Sequence, residues 1–131
     1  MKFEEAPDIK NSVDKIVRTL GIDAIDTARL FCMRSHGSKG RSIARIWSMP
    51  RIWQKALGIK AHYVIEVISE HFDSLGSEEK EKTLIHELMH IPKGFSGGLV
   101  PHKCFGKRID RRSVEKLFAE YKQKSEKYPT F

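Results

Sequence analysis

The stretch that fixes the central helix is Leu84–Pro92, which reads Leu-Ile-His-Glu-Leu-Met-His-Ile-Pro. Its apolar residues recur at three- and four-residue steps, which is the spacing of one face of an α-helix. Upstream, Ser77 is a candidate N-cap, and the glutamates that follow it place negative charge near the positive end of the helix dipole. Pro92 disfavours the helical state in the residue before it. The sequence therefore predicts a helix from about Glu78 to Ile91.

This helix contains the pattern His-Glu-x-x-His at His86, Glu87 and His90. Four residues make one helical turn, so the two imidazoles project from the same side, about 6 Å apart, and both can bind one Zn²⁺ ion. Glu87 is rotated about 100° from His86 along the helix, which places its carboxylate beside the ion rather than on it. The pattern is typical of zinc hydrolases in which the glutamate is the general base.

A catalytic zinc site usually has three protein ligands and one open position, so a third ligand must come from outside the helix. His102 is the first candidate because it follows His90 after eleven residues, and glycines 94, 97 and 98 allow the chain to bend back. Cys104 is the second candidate. A third option is a carboxylate from a later helix, Glu115 or Glu120, as in gluzincin-like sites.

Length and composition limit the number of domains and the classes of protein to which the chain can belong. A chain of 131 residues with 40% hydrophobic residues fits one compact domain, 1–131. No apolar run approaches the ~18 residues needed to span a bilayer. The two cysteines, Cys32 and Cys104, are too few for a disulfide framework and are expected to be free thiols. We expect a cytoplasmic protein with no membrane partner.

The rest of the chain alternates helical and extended patterns. Spacing and capping residues predict a first helix over Asp8–Leu20 and a last helix capped by Asp110. Between them, β-branched and aromatic runs predict strands at Thr27–Ser35, Arg41–Ser48 and His62–Ser69. For Arg41–Ser48 a helix is the competing interpretation. The first two of these strands are expected to form a hairpin through the glycine-rich turn that joins them. A short helical turn is expected over 50–57.

Positive charge is concentrated in one segment. The net charge is +7, and no Asp or Glu occurs between Thr27 and Ile65. That segment holds eight cations: Arg29, Arg34, Lys39, Arg41, Arg45, Arg51, Lys55 and Lys60. One hypothesis is nucleic-acid binding through Arg29 to Lys60, with Trp47 and Trp53 stacking on bases. The alternative, which we favour at this point, is a solvated basic face with both tryptophans in the core.

Three stretches resemble a family of small prokaryotic and viral metallopeptidases: His86–His102, Arg51–Gly58 and Tyr63–Glu70. The similarity spans about Thr27 to His102. It implies an α+β, minimal zincin-like domain, distantly similar to SprT-like proteases. In such a domain a small, mainly antiparallel sheet packs against an active-site helix, with helices at the N- and C-terminal ends.

The resemblance implies that His86, His90 and His102 are zinc ligands and that Glu87 is the catalytic base. SprT-like proteins commonly append a cysteine-rich zinc ribbon, and two isolated cysteines cannot form one. The expected function is zinc-dependent hydrolysis of peptide bonds.

The substrate peptide is expected to add as a strand to the sheet edge, along Tyr63–Ser69 or Arg41–Ser48. Tyr63, Arg45 and Lys93 are the candidates for stabilising an oxyanion. Two other readings stay open: a nucleic-acid-associated zinc protein, including a protease acting on DNA-bound proteins, and a zinc protein whose ion is structural or acts on a non-peptide bond.

Overall fold

The computed structural model describes residues 1–104 and 106–127, except for the side chain of Cys104. In chain order the elements are β1 (Lys2–Glu5), α1 (Pro7–Leu20), a 3₁₀ turn (Thr27–Arg29), β2 (Leu30–His36), β3 (Ala44–Trp47), α2 (Arg51–Leu57), β4 (Tyr63–Ile68), α3 (Ser69–Phe72), α4 (Ser77–Met89), β5 (Lys103–Cys104), β6 (Lys107–Arg108) and α5 (Arg111–Lys127). This arrangement confirms the predicted α+β class with terminal helices.

Four strands form the main sheet, in the order β1-β2-β4-β3. β1 pairs antiparallel with β2, β2 pairs parallel with β4, and β3 pairs antiparallel with β4. Two of the three pairings are antiparallel, as expected for a mainly antiparallel sheet. β5 and β6 form a separate two-stranded ribbon.

The predicted hairpin between the second and third strands is wrong. β2 and β3 are consecutive in the chain, but β4 lies between them and pairs with both. The physical reason is burial, since all but one of the residues of β4 are buried and such a strand belongs at the centre of a sheet. The polar, glycine-containing segment 37–43 then carries β3 to the outer edge.

Several boundaries differ from the sequence prediction. The strand expected from Thr27 begins at Leu30, because Asp26 caps a 3₁₀ turn over Thr27–Arg29 by accepting a hydrogen bond from the Ala28 amide at 3.0 Å. Ser77 is not the N-cap of α4: Gly76 holds that position without a side-chain cap. By contrast, the Asp110 cap of α5 is confirmed, since its Oδ1 accepts from the Ser113 amide at 2.9 Å.

The hydrophobic core lies between one face of the sheet and the helices α1, α4 and α5. Tyr63, Ile65 and Val67 of β4 alternate onto this face and are fully buried. Apolar residues of the three helices pack in the same cluster: Ile9, Val13, Ile16 and Val17 of α1, Leu84, Ile85 and Leu88 of α4, and Val114, Phe118 and Tyr121 of α5. The buried residues of α1 recur at three- and four-residue steps, which is the spacing that predicted this helix.

Arg34 ties β2 to two helices at the edge of this core. Its guanidinium lies 2.8 Å from Asp8 at the start of α1 and 3.1 Å from Asp73 after α3. Hydrogen bonds from Arg34 hold the pKa of the Asp8 carboxyl below its usual value. One of the eight cations of the basic segment is therefore part of the internal structure.

Both tryptophans lie at the surface, so the core assignment favoured from sequence is wrong. The exposed fraction is 53% for Trp47 and 58% for Trp53. Trp47 projects from the sheet face opposite the helices, because its β4 neighbour is Val64, which alternates away from the core residues. Trp53 lies on α2, a helix with no buried residue.

None of the helices among the described residues has the length and hydrophobicity needed to cross a lipid bilayer.

Candidate metal centre

The helix α4 carries two of the three histidines of the site. His86 lies in its last turn and His90 is its C-cap residue. Their Nε2 atoms are 3.4 Å apart, so the two imidazoles converge rather than spread into solvent. His90 is buried, with 8% of its surface exposed, whereas His86 is half-buried. One turn of helix therefore brings two nitrogen donors to one point, as the spacing predicted.

The third histidine arrives from the loop after α4. His102 Nε2 lies 3.3 Å from His86 Nε2, and the ligand atoms of His86, His90 and His102 all lie within 4.8 Å of one another. Four ligands placed tetrahedrally at about 2.0 to 2.1 Å from a zinc ion are separated by about 3.3 to 3.4 Å. The two Nε2 separations that involve His86 match that edge length, and all three ligand atoms lie within 4.8 Å of one another, so the three imidazoles fit a single ion.

The loop is joined to the end of α4 by a reciprocal pair of hydrogen bonds. The Val100 amide donates to the His90 carbonyl at 2.7 Å, and His90 Nδ1 donates to the Val100 carbonyl at 2.6 Å. The second bond places the ring proton on Nδ1, which leaves the Nε2 lone pair directed at the other two histidines. The fold thereby selects the tautomer that can bind a metal.

Tyr63 holds the same loop from the centre of the sheet. Its buried hydroxyl donates to the Gly98 carbonyl at 2.8 Å and accepts from the Gly97 amide at 2.8 Å. Its ring also packs edge-on against Phe95, with centroids 4.8 Å apart. Tyr63 was a sequence candidate for stabilising an oxyanion, but these bonds engage its hydroxyl in positioning the loop that carries His102.

Gly97 is where the loop passes closest to the β3–α2 connection. Its φ of +103° is in the region that favours glycine, and a Cβ there would collide with the Met49 carbonyl and the Gln54 amide nitrogen. Gln54 donates to the carbonyls of Met49 and Ser96, both at 2.9 Å, and the Met49 amide donates to the Gly97 carbonyl. The chain can take this path only with glycine at this position.

Glu87 lies beside the histidine cluster on α4 and is buried, with 8% of its surface exposed. Burial disfavours the charged carboxylate and raises the pKa of Glu87 to about 7. Burial also lowers the pKa of His86, with the charges of His90 and His102 acting in the same direction. At neutral pH the site thus holds a neutral His86 imidazole and a carboxyl group that can both accept and release a proton.

A surface cleft of about 550 Å³ opens onto His86 and Glu87. One wall is formed by α4 and the start of α5, and the other by the chain leading into β3, from Arg41 to Ala44. β3 is an edge strand, so its outer side has no strand partner among the described residues. The site is therefore open to solvent along a free sheet edge.

The other ligand candidates lie elsewhere or outside the described part. Glu115 lines the cleft but forms an ion pair with Lys82 at 3.0 Å, and Glu120 pairs with Lys124 at 2.9 Å. Neither belongs to the histidine group. The thiol of Cys104 lies outside the described residues, so its place as a ligand stays a prediction.

Sequence reasoning missed two positioning residues. Gln54 and Gly97 hold the histidine-bearing loop. Both lie in stretches that carry the family resemblance, but no pattern of residue types marks either as a positioning residue. The only signal at Gly97 was the glycine content of the loop, which suggested that glycine is present there to let the chain bend. The structure gives close packing as the reason.

Residues 1–122 match the model of a protein family described as "Putative phage metallopeptidase". This match spans nearly all of the chain, including every element that builds the histidine cluster. No curated protein and no solved structure matches the chain.

Proposed function

The chain belongs to the family described as "Putative phage metallopeptidase", and on that premise we propose that it is a zinc-dependent peptidase with Glu87 as general base. His86, His90 and His102 would hold the ion. The observation that carries the proposal is the convergence of three imidazole nitrogens within 4.8 Å of one another, beside a cleft that His86 and the buried carboxyl group of Glu87 line. All three donors are nitrogen atoms, a set that suits zinc.

The chemistry divides between the ion and the chain. A bound zinc ion would supply a Lewis acid that polarises the scissile carbonyl and acidifies water. Glu87 takes a proton from the water that attacks the carbonyl carbon. It then delivers that proton to the amide nitrogen as the C–N bond breaks, which releases an amine and a carboxylate. A pKa of about 7 suits both transfers near neutral pH.

The edge strand β3 is our candidate for substrate positioning. β4 was the other candidate, but it lies in the interior of the sheet with a partner on each side. An extended peptide can pair with the free side of β3, next to the cleft that contains His86 and Glu87. The peptide bond would then lie across the opening of the site.

A structural zinc is the main competitor, because closed sites have four protein ligands and water is excluded from the ion. The cleft beside His86 supports a catalytic site over a closed one, since solvent has access to the ligands. We also take residues 1–131 as one zincin-like domain with a distant likeness to SprT-like proteases. These two points, and a cytoplasmic location, stay predictions from sequence.

The decisive experiment replaces Glu87 with Gln, which keeps the shape of the side chain but removes its ability to accept a proton. We expect Glu87→Gln to lower the turnover of a casein or mixed-peptide substrate by at least about 100-fold, the usual scale for loss of a general base. Zinc content, measured by elemental analysis after purification, should stay at one ion per chain.

Glu79→Gln is the matched control, because Glu79 lies on the same helix and lines the same cleft. It should retain nearly full activity. Turnover by Glu87→Gln equal to that of the parent would remove Glu87 from the role of base. A parent protein that binds zinc but hydrolyses no peptide would favour a structural ion or a different substrate bond.

A further inference from the structure

We propose that the end of β3 and the helix α2 form a binding surface for single-stranded nucleic acid. This basic aromatic surface consists of Trp47, Arg51, Trp53, Lys55 and Lys60. The two tryptophans are six residues apart in the chain and so lie within about 20 Å of each other. The inference rests on exposure and charge outside the metal centre and does not depend on the proposed function.

The first observation is that large aromatic rings face solvent. Trp47 and Trp53 are each more than half exposed, and Phe31 is 49% exposed. Phe31 and Trp47 flank Val64 in one row across the open face of the sheet, on strands about 10 Å apart. At that separation the two rings cannot stack on each other. Phe31 stacks on His62, with ring centroids 6.0 Å apart, so Trp47 is the ring of this row that remains available to a base.

Trp47 is also held in place rather than free to rotate. Its indole Nε1 donates to Glu66 at 2.8 Å, and Glu66 is only 3% exposed. Arg45 lies 3.7 Å from the same carboxylate. The negative charge of Glu66 is therefore turned inward and balanced, and it does not oppose an anionic ligand at the surface. A fixed ring loses little freedom when a base stacks on it.

The second observation is the distribution of unpaired charge. Three cations of the segment 27–65 have carboxylate partners, namely Arg29, Arg34 and Arg45. Within residues 1–104 and 106–127, the other five form no ion pair: Lys39, Arg41, Arg51, Lys55 and Lys60. Three of these five lie on or directly after α2, beside Trp53. Phosphates can neutralise them without breaking an internal contact.

Rings and cations together favour single-stranded nucleic acid over the other polyanions. A duplex keeps its bases stacked internally and would leave the exposed indoles unused. An anionic membrane would use the aliphatic side chains of α2, Ile52 and Leu57, which are also exposed. It would leave Trp47 unused, because the indole of Trp47 is bonded to Glu66 on the face of the sheet and is not part of an amphipathic helix.

Binding can be measured with the full-length protein and fluorescein-labelled oligothymidylate or oligouridylate of about 15 nucleotides, the upper range of a small binding site. We expect quenching of tryptophan fluorescence together with a rise in anisotropy of the label. Contact with three phosphates predicts a salt slope of about −2, which is about 20-fold weaker binding at 200 mM than at 50 mM salt. The two oligomers distinguish DNA from RNA as the ligand.

Two matched pairs of variants distinguish base stacking and local charge contacts from nonspecific binding. Trp53→Ala should weaken binding about tenfold, whereas Ile52→Ala, the neighbouring residue on α2, should leave it unchanged. Arg51→Glu with Lys55→Glu should abolish binding. The same reversal at Arg112 and Lys116, an equally spaced pair on α5, should reduce binding only slightly through net charge. Circular dichroism checks that each variant is folded.

Three results would overturn the proposal. The first is the absence of quenching and anisotropy change with either oligomer at low salt. The second is equal weakening by Ile52→Ala and Trp53→Ala, which would indicate an apolar contact with protein instead of base stacking. The third is binding to phosphatidylserine vesicles by a protein that does not bind the oligomers.

Discussion

The loop 91–101 and the helix α2 are neighbours that are held in opposite ways. The loop is fixed by the reciprocal bonds of His90 and Val100, by the Tyr63 hydroxyl and by Gln54. The helix has no buried residue, and the side-chain bonds that anchor it are those of Gln54. The loop has no regular secondary structure, yet several hydrogen bonds fix its position. The helix α2 is regular, yet almost nothing packs against it.

The difference in packing matches the roles proposed for the two regions. Binding a metal ion through three imidazoles requires nitrogen atoms placed to within a few tenths of an ångström, so the loop needs several independent supports. Contact with a flexible polymer requires exposed rings and cations but no fixed distances. Substitutions at the residues that anchor the loop should therefore be costly, and substitutions of the exposed side chains of α2, which exclude Gln54, should leave stability unchanged.

The largest effect is expected at Gly97. Gly97→Ala places a Cβ against the Met49 carbonyl and Gln54 at a φ of +103°, and the combined strain should lower the free energy of unfolding by about 3 kcal/mol. Zinc affinity should fall too, because His102 is carried by the displaced loop. Urea unfolding and a competitive chelator titration measure the two quantities.

Gly98→Ala is the control, since a Cβ at Gly98 meets no atom within 4 Å. It should change stability by less than about 0.5 kcal/mol. Equal losses in the two variants would mean that the loop is sensitive to any side chain, and that the close approach at Gly97 is not the cause.

A smaller effect is expected from removal of one oxygen atom. Tyr63→Phe leaves the Gly97 amide and the Gly98 carbonyl without their shared partner and should cost about 1 to 3 kcal/mol in urea unfolding. Trp53→Ala removes a whole indole from α2 and should cost less than about 0.5 kcal/mol, because the ring is mostly exposed. The reverse ranking would contradict the contrast between the two regions.

The smallest effect on the free energy of unfolding is expected from the ion pair of Arg34 with Asp8, and it depends on pH. Arg34 lowers the pKa of Asp8 in the folded chain, so this pair stabilises the fold above about pH 4, where unfolded Asp is ionised. The contribution is lost as pH falls through the lowered value. Asp8→Asn should cost about 0.5 kcal/mol at pH 7, a small effect because Asp8 is largely exposed, and less than that at pH 2.

Arg51→Gln with Lys55→Gln provides the comparison for that measurement. Neither residue has an ion-pair partner in the part of the chain that the structure describes. The double variant should therefore show the parent's stability at both pH values. A loss at pH 7 would reveal a structural role for these charges.

Local patterns in the sequence were enough to predict four of the five helices, all but α3, and the convergence of His86 with His90. The spacing of His86 and His90 is a property of one helical turn, and the buried stripes of α1 and α5 follow the same geometry. The meeting of His102 with them was a weaker inference, because glycine content shows that a loop can bend but not where it goes. Tyr63 and Gln54 determine its path, and both lie far away in sequence.

The sheet order and the surface tryptophans could not be obtained from local patterns. Proximity in the chain favoured a hairpin of β2 and β3, but burial of β4 between them is a property of the whole domain. Trp47 and Trp53 were assigned to the core because large aromatic residues usually lie there. Their exposure depends on which sheet face the helices cover, and no periodicity within a short strand or a two-turn helix shows that.

All three imidazoles come from one segment of seventeen residues, 86–102, at the end of a single helix. Detachment of the loop 91–101 would move His102 away from the other two histidines, and it would expose Ile91 and Phe95 of the core without unfolding the sheet or the helices. Such a partial opening costs less free energy than global unfolding and exposes few amides to hydrogen exchange. A site built from one segment therefore permits an ion to bind and leave without unfolding of the whole domain.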